Sequence, residues 1–275
     1  MVEASLMIAF ATVLSLFKLV EMPYGGSITP ASMLPILIVS YRHGGGIGLL
    51  SGLVFAVVQQ LLGLNNLTYV TGWVSVVAVI LLDYVLAFTF VGLCGCTRNK
   101  LTSDASISKA AKQRLELSTG MAIACVLRYI MHVISGATVW AGLSIPTEAA
   151  LIYSLGYNAT YMIPETVISV LIAAWIGGTV DFSRQLPVTF VSDRDASQVG
   201  VRAYLPALAL LSAFATVIAE VLIVCPHLQS PDDGKFTFEL LGGVNLLAVI
   251  IAGAVGIALT LGIWITHLIL KKSHG

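Results

Sequence analysis

The sequence predicts an all-α, polytopic membrane helical bundle, and three observations predict it. Of the 275 residues, 57% are hydrophobic and only 10% charged, well below the roughly one quarter charged in soluble domains. The apolar residues gather into eight runs, most of them close to the about 20 residues that one bilayer crossing needs. In hydrocarbon such runs satisfy their backbone polar groups only as helices. The 14 Lys and Arg balance the 14 Asp and Glu, so no basic surface argues for a nucleic-acid partner.

The runs are Val2–Val20, Ser32–Tyr41, Gly44–Gly63, Gly72–Cys96, Ser118–Trp140, Ala149–Val180, Ala203–Val224 and Leu241–Leu270. No signal-peptide cleavage pattern precedes the first, so it is expected to persist as a span. The second is short and ends at Arg42. It is expected to cross incompletely, or to sit behind the loop Glu21–Pro30, whose Gly25-Gly26 and two prolines exclude regular helix. Gly44-Gly45-Gly46 reads as a tight turn into the third run. Residues 1–180 hold nearly all the intramembrane aromatic and ionisable groups and form a six-helix functional domain. Residues 181–202 form a polar cytoplasmic linker, and 203–275 an appended two-helix hairpin with a basic tail.

If every run crosses, eleven of the 14 Lys and Arg, from Arg42 to Lys272, face one side. Only Lys18 and Lys235 face the other, and Arg128 lies within a span. The positive-inside rule then places both termini in the cytoplasm.

Ionisable residues at mid-membrane cost several kcal/mol and need partners or a cavity. With about 1.5 Å of rise per residue, Asp83, His132 and Asn158 lie about 16, 14 and 15 Å below the outer surface. Three polar groups from three helices thus share a level. Arg128, His132, Gly136 and Trp140 recur every four residues on one helical face. Tyr153, Tyr157 and Tyr161 accompany Asn158, and Trp73 and Tyr84 accompany Asp83. Aromatic walls with one carboxylate, one imidazole and one amide suit a flat, cationic, heteroaromatic ligand. Plainer roles stay open beside this. Trp73, Trp140 and Tyr153 fit an interfacial aromatic belt, and His132 an interhelical hydrogen bond. Gly136 fits close helix packing, and Arg128 with Glu165 a buried ion pair. Glu220 and His267 read as helix-to-helix polar contacts.

Other chemistry finds little support. No phosphate-binding glycine loop or His-Glu-x-x-His zinc motif occurs, and Asn66-Leu67-Thr68 is a three-residue glycosylation match only. Cys94, Cys96, Cys125 and Cys225 sit in apolar runs without Cys-x-x-Cys spacing, so neither disulfides nor a zinc site are expected. No enzyme activity, metal or cofactor is expected.

Three longer stretches join Glu21-Met-Pro-Tyr-Gly-Gly-Ser-Ile-Thr-Pro-Ala-Ser-Met-Leu-Pro-Ile-Leu and Tyr41-Arg-His-Gly in order. They are Leu82-Asp-Tyr-Val-Leu-Ala-Phe, Arg128-Tyr-Ile-Met-His-Val-Ile-Ser-Gly-Ala-Thr-Val-Trp and Tyr153-Ser-Leu-Gly-Tyr-Asn-Ala-Thr. Across roughly residues 1–180 this series resembles the thiamine-specific S component of energy-coupling factor (ECF) transporters, a family also described as proton-coupled thiamine transporters. The resemblance implies a cell-membrane protein that captures thiamine from outside and works with a T component and two ATPase subunits. It puts substrate contacts on Asp83, Tyr84, Arg128, His132, Gly136, Trp140, Tyr153 and Asn158, beside Trp73. It also implies docking of the T component on small residues four apart in the first helix, which Ser5 and Ala9 match. Family members carry glutamate at the position of Asp83. They also carry a tryptophan in the first outer loop, where this chain has Gly25-Gly26-Ser27; Tyr24 is the candidate replacement.

Overall fold

A computed structural model describes residues 1–22, 25–100, 108–140, 148–190, 205–224, 227 and 239–272. The chain is a predominantly helical membrane protein that divides into two compact units, Met1–Thr189 and Phe190–Gly275.

Among the described residues the first unit holds six helices of ten residues or more, beside the short 3-10 helix Leu64–Tyr69. Helix α1 (Val2–Leu16) ends four residues short of the predicted run. Phe17 leaves helical backbone at φ −82°, ψ 86°, and the chain then pairs as β1 (Val20–Glu21) with β2 (Ser27–Ile28) in antiparallel register. The loop Glu21–Pro30 therefore opens as a small hairpin. Pro23 and Tyr24 lie outside the described residues, so the proposed replacement for the family tryptophan falls there too.

Helix α2 (Leu34–His43) has ten residues, about 15 Å of rise, and so spans only half of a bilayer core of about 30 Å. Everything from Leu34 to Tyr41 is buried, which makes α2 the centre of the core. Gly44, at φ +91°, turns the chain straight into α3 (Gly45–Leu62). A Cβ there would be strained, and glycine lets two helices follow each other without a linker.

Helix α4 (Trp73–Thr97) is not uniform. It is α-helical to Val79, widens to a π turn over Ile80–Leu86, and tightens to 3-10 geometry over Phe90–Thr97. It crosses α3 backbone to backbone. A Cβ on Gly48 would stand 2.2 Å from the Gly92 carbonyl oxygen, the close approach that small residues permit in membranes. Helix α5 (Lys109–Trp140) starts nine residues before the predicted run, with Ser108 Oγ accepting from the Ala111 N–H. Its charged first turns are helical because they are anchored, Lys109 to Asp181 at 2.9 Å and Gln113 to the Gly177 carbonyl at 2.8 Å. Helix α5 ends in a second π turn over Gly136–Trp140. Helix α6 (Glu148–Thr179) leads into a short hairpin of β3 (Val180–Asp181) and β4 (Val188–Thr189).

One group of charges in this unit gathers around the C-terminal end of α2. Arg42 binds Glu3 and the carbonyls of Phe182, Arg184 and Gln185. Arg98 covers the Tyr41 ring at 5.4 Å, and buried Glu116 accepts from Tyr41 Oη and the Asn99 N–H, both at 2.6 Å.

In the second unit α7 (Leu205–Val224) packs on α8 (Leu246–Lys272) through small and polar groups. The space beside Gly256 is filled by Thr216, and a Cβ on Gly253 would stand 3.0 Å from Glu220 Oε1. Thr260 Oγ donates to Ser212 Oγ at 3.2 Å. Glu220 thus faces the neighbouring helix, whereas His267 meets Trp264 of its own helix at 5.9 Å. Cys94, Cys96 and Cys125 are free thiols, and Cys225 lies outside the described residues.

Candidate functional site

Asp83 sits within the π turn of α4, where the extra backbone width breaks the regular spacing of side chains; such turns gather at functional sites. Its Oδ1 lies 2.8 Å from His132 Nδ1. Its Oδ2 accepts from Ser135 Oγ at 2.7 Å and from Trp140 Nε1 at 3.1 Å. All three donors come from α5, and Trp140 belongs to the second π turn. Two irregular helical segments thus face each other across one carboxylate. His132, Ser135 and Trp140 thus hold this carboxylate from one helix.

A second group lies behind the first. Arg128 Nη1 donates to Glu165 Oε2 at 2.6 Å, and both side chains are less than a tenth exposed. The buried ion pair weighed from sequence is therefore present. Arg128 also lies 4.8 Å over the Phe88 ring, and its Nε donates to His132 Nε2 at 3.3 Å. Glu165 Oε1 accepts from Thr29 Oγ at 2.6 Å. Paired and hydrogen-bonded, this intramembrane charge is tolerable where an isolated one is not.

Aromatic rings lead from the N-terminal end of α6 toward this cluster. Tyr153 stacks on Tyr157 with centroids 6.2 Å apart, Tyr157 meets Tyr161 edge-on at 6.0 Å, and Tyr161 meets His132 at 6.5 Å. Asn158 is fixed among them. Its amide donates to the Ser154 carbonyl at 2.9 Å and the His132 carbonyl at 3.4 Å, and its oxygen accepts from Tyr161 Oη at 2.7 Å.

The loop Glu21–Pro30 closes against this ladder. Tyr157 Oη donates to the Gly25 carbonyl at 2.8 Å. Gly26 has φ +90°, and a Cβ there would stand 2.7 Å from Tyr161 Cζ. Only glycine lets backbone lie on the ring so closely. Backbone therefore covers the aromatic wall at the place where relatives were expected to present a tryptophan.

Not every predicted residue joins the cluster. Gly136 does not leave open space, because a Cβ there would stand 2.3 Å from Ser154 Oγ; it lets α5 and α6 approach. Tyr84, next to Asp83 in sequence, points elsewhere, donating to the Gly63 carbonyl at 3.3 Å and accepting from Asn66 Nδ2 at 3.0 Å. Trp73 is 79% exposed at the first turn of α4. Ser5 and Ala9 lie exposed on α1. Sequence reasoning missed Ser135 and Thr29. A short hydroxyl three residues after His132 was the one available signal for Ser135; Thr29 carried none beyond its place in the loop. Among the described residues no group of three or more His, Cys, Asp or Glu could hold a metal ion.

Comparison with known proteins gives three findings. Residues 1–183 match the family model described as thiamine transporter protein (Thia_YuaJ). The thiamine transporter ThiT of Bacillus subtilis (strain 168) is 33% identical over 174 residues, which cover 62% of this chain and 86% of that protein. A solved structure of ThiT from Listeria monocytogenes matches with a TM-score of 0.51 and 22% identity, over 64% of this chain and 91% of that one. At that identity the last comparison speaks for the fold alone.

Proposed function

The chain belongs to the thiamine transporter protein family, a family of transporters rather than enzymes, and from that premise we propose that it captures thiamine outside the cell membrane and carries it inward as the S component of an ECF transporter. The observation that carries this reading is the intramembrane carboxylate of Asp83, held by His132, Ser135 and Trp140 below a ladder of tyrosines. Thiamine is a cation in which a methylene joins a flat thiazolium ring to a flat aminopyrimidine ring. Asp83 supplies its counter-charge, the faces of Trp140 and His132 receive its rings, and Tyr153 and Asn158 orient its polar groups. The hairpin loop, pinned at Gly25 and Gly26, lies over the bound ligand.

In this reading residues 1–180 are the substrate-binding domain, 181–202 a cytoplasmic linker and 203–275 an appended hairpin with a basic tail. Both termini face the cytoplasm, in keeping with the charged end that gathers Arg42, Arg98, Lys109 and Arg184. The T component docks on the exposed Ser5 and Ala9 face of α1, and two ATPase subunits power reorientation of the loaded bundle.

Isothermal titration of the purified protein with thiamine tests the binding step. Tight binding is expected from the wild type and none from Asp83→Ala; a wild type that does not bind refutes the reading. Thiamine uptake into liposomes should require co-reconstituted T component, ATPase subunits and ATP. Uptake driven by a proton gradient in their absence would make the protein a solitary proton-coupled carrier instead.

A further inference from the structure

Glu165 is a buried carboxylate within α6, 2% exposed, and its two oxygens face in different directions. Oε1 accepts from Thr29 Oγ at 2.6 Å, and Thr29 directly follows β2 of the first outer loop. Oε2 accepts from Arg128 Nη1 at 2.6 Å. Arg128 then hands the connection on, its Nε donating to His132 Nε2 at 3.3 Å.

That last contact decides where the imidazole proton lies. A guanidinium nitrogen only donates, so His132 Nε2 must be the bare, accepting nitrogen. The proton of the neutral ring is then on Nδ1, which donates to Asp83 Oδ1 at 2.8 Å. Oδ2 already accepts from Ser135 and Trp140. A carboxylate offers about four lone-pair positions, so the open one is on Oδ1. A second proton on His132 would have to enter at Nε2, against the Arg128 Nε–H. It would also set a positive ring beside Asp83, in competition with a cationic ligand. The charged or titratable groups around the ring are Asp83 from α4, Arg128 from α5 and Tyr161 from α6, with Glu165 behind Arg128.

We propose that Arg128 and Glu165 are positioning residues: Glu165 holds Arg128 so that its Nε–H keeps His132 a neutral Nδ1–H donor, leaving one Oδ1 lone pair of Asp83 for the N–H or cationic edge of the ligand. Through Thr29 the same carboxylate ties this setting to the loop that covers the site. This role rests on the reading of Asp83 as the counter-charge of the substrate, and it places Arg128 one residue back from the ligand.

The test uses the full chain, labelled with 15N-histidine, in detergent at neutral pH without ligand. His132→Gln assigns the His132 resonances among the five histidines. The wild type should show a protonated Nδ1 and a bare, hydrogen-bonded Nε2. In Arg128→Met/Glu165→Met, apolar groups of similar length replace a buried ion pair, a change such sites often tolerate. The Nε2 resonance should move and thiamine affinity should fall about 10- to 100-fold, the range for losing a charge-assisted hydrogen bond. Glu165→Gln keeps an acceptor for Thr29 and should shift the same resonance with a smaller loss of affinity, which keeps the test open if the double variant does not fold. A protonated wild-type Nε2 overturns the proposal. So does an unchanged histidine spectrum, or affinity within twofold of wild type, in a folded variant. A wild type that binds no thiamine refutes the functional reading, while the spectrum of the ligand-free protein still decides the proton's position.

Discussion

Asp83→Asn separates the charge of the candidate site from its shape. The amide is nearly isosteric with the carboxylate, so α4 and α5 keep their spacing, but two things change. The counter-charge is lost: a cation about 4 Å from a carboxylate at an effective dielectric of about 20 is worth about 4 kcal/mol. Donor pairing around the side chain also becomes a conflict. If the asparagine NH2 takes the place of Oδ2 it faces the Ser135 and Trp140 donors, and if it takes the place of Oδ1 it faces His132 Nδ1–H. An orphaned donor costs about 1–3 kcal/mol, and that cost falls on the free and bound protein alike. Affinity should therefore drop by about a thousandfold, since about 1.4 kcal/mol is one decade. Titration calorimetry with thiamine, and with an uncharged isostere of it, reads the result. The isostere, which gains nothing from the charge, should bind wild type and Asp83→Asn within about threefold of each other. Thiamine affinity within threefold of wild type in a folded Asp83→Asn protein would refute the assignment of Asp83 as counter-charge.

Two further outcomes concern the frame. Gly136→Ala drives a methyl to within 2.3 Å of Ser154 Oγ, so thermal unfolding in detergent should show a loss of about 1–3 kcal/mol; an unchanged melting temperature would mean that α5 and α6 do not meet there. At the charged end, burial pushes the Asp181 carboxyl up, but hydrogen bonds from Lys109 and Ser183 outweigh it and hold the group well below its ordinary 3.8. A depressed folded-state value gives stability that is present above the unfolded value and lost as pH falls below it. The melting temperature of the wild type should thus hold from neutral pH to about pH 4 and fall below that. Asp181→Asn should melt lower at neutral pH and lose less on acidification; parallel pH profiles would exclude this contribution.

Much of the bundle is legible in the chain because hydropathy acts over long windows. Runs such as Gly44–Gly63 and Ala149–Val180 lie within two residues of the helices Gly45–Leu62 and Glu148–Thr179. The buried Arg128–Glu165 pair is legible as well, because two opposite charges at similar depth have few other ways to be tolerated. Boundaries decided by specific bonds are not. Composition does not announce the pairing of Val20–Glu21 with Ser27–Ile28 that ends α1 early. Nor does it announce the links from Lys109 and Gln113 to the β3 region that start α5 early.

Around Asp83 the division is sharper. Sequence by itself determined that a carboxylate, an imidazole and an amide lie at one membrane depth among aromatic rings, because depth depends only on residue count and helical rise. It could not fix which way each side chain turns. The π turns at Ile80–Leu86 and Gly136–Trp140 depart from the regular helical period on which any face assignment rests. Only the tertiary structure decided that Trp140 and Ser135 reach Asp83 while the adjacent Tyr84 turns to Asn66 and Gly63. Only the fold, too, decided that Gly136 is filled by Ser154. Periodicity carries the identity and depth of a group along a helix; its direction is set by the neighbour that satisfies it, and that neighbour comes from another part of the chain.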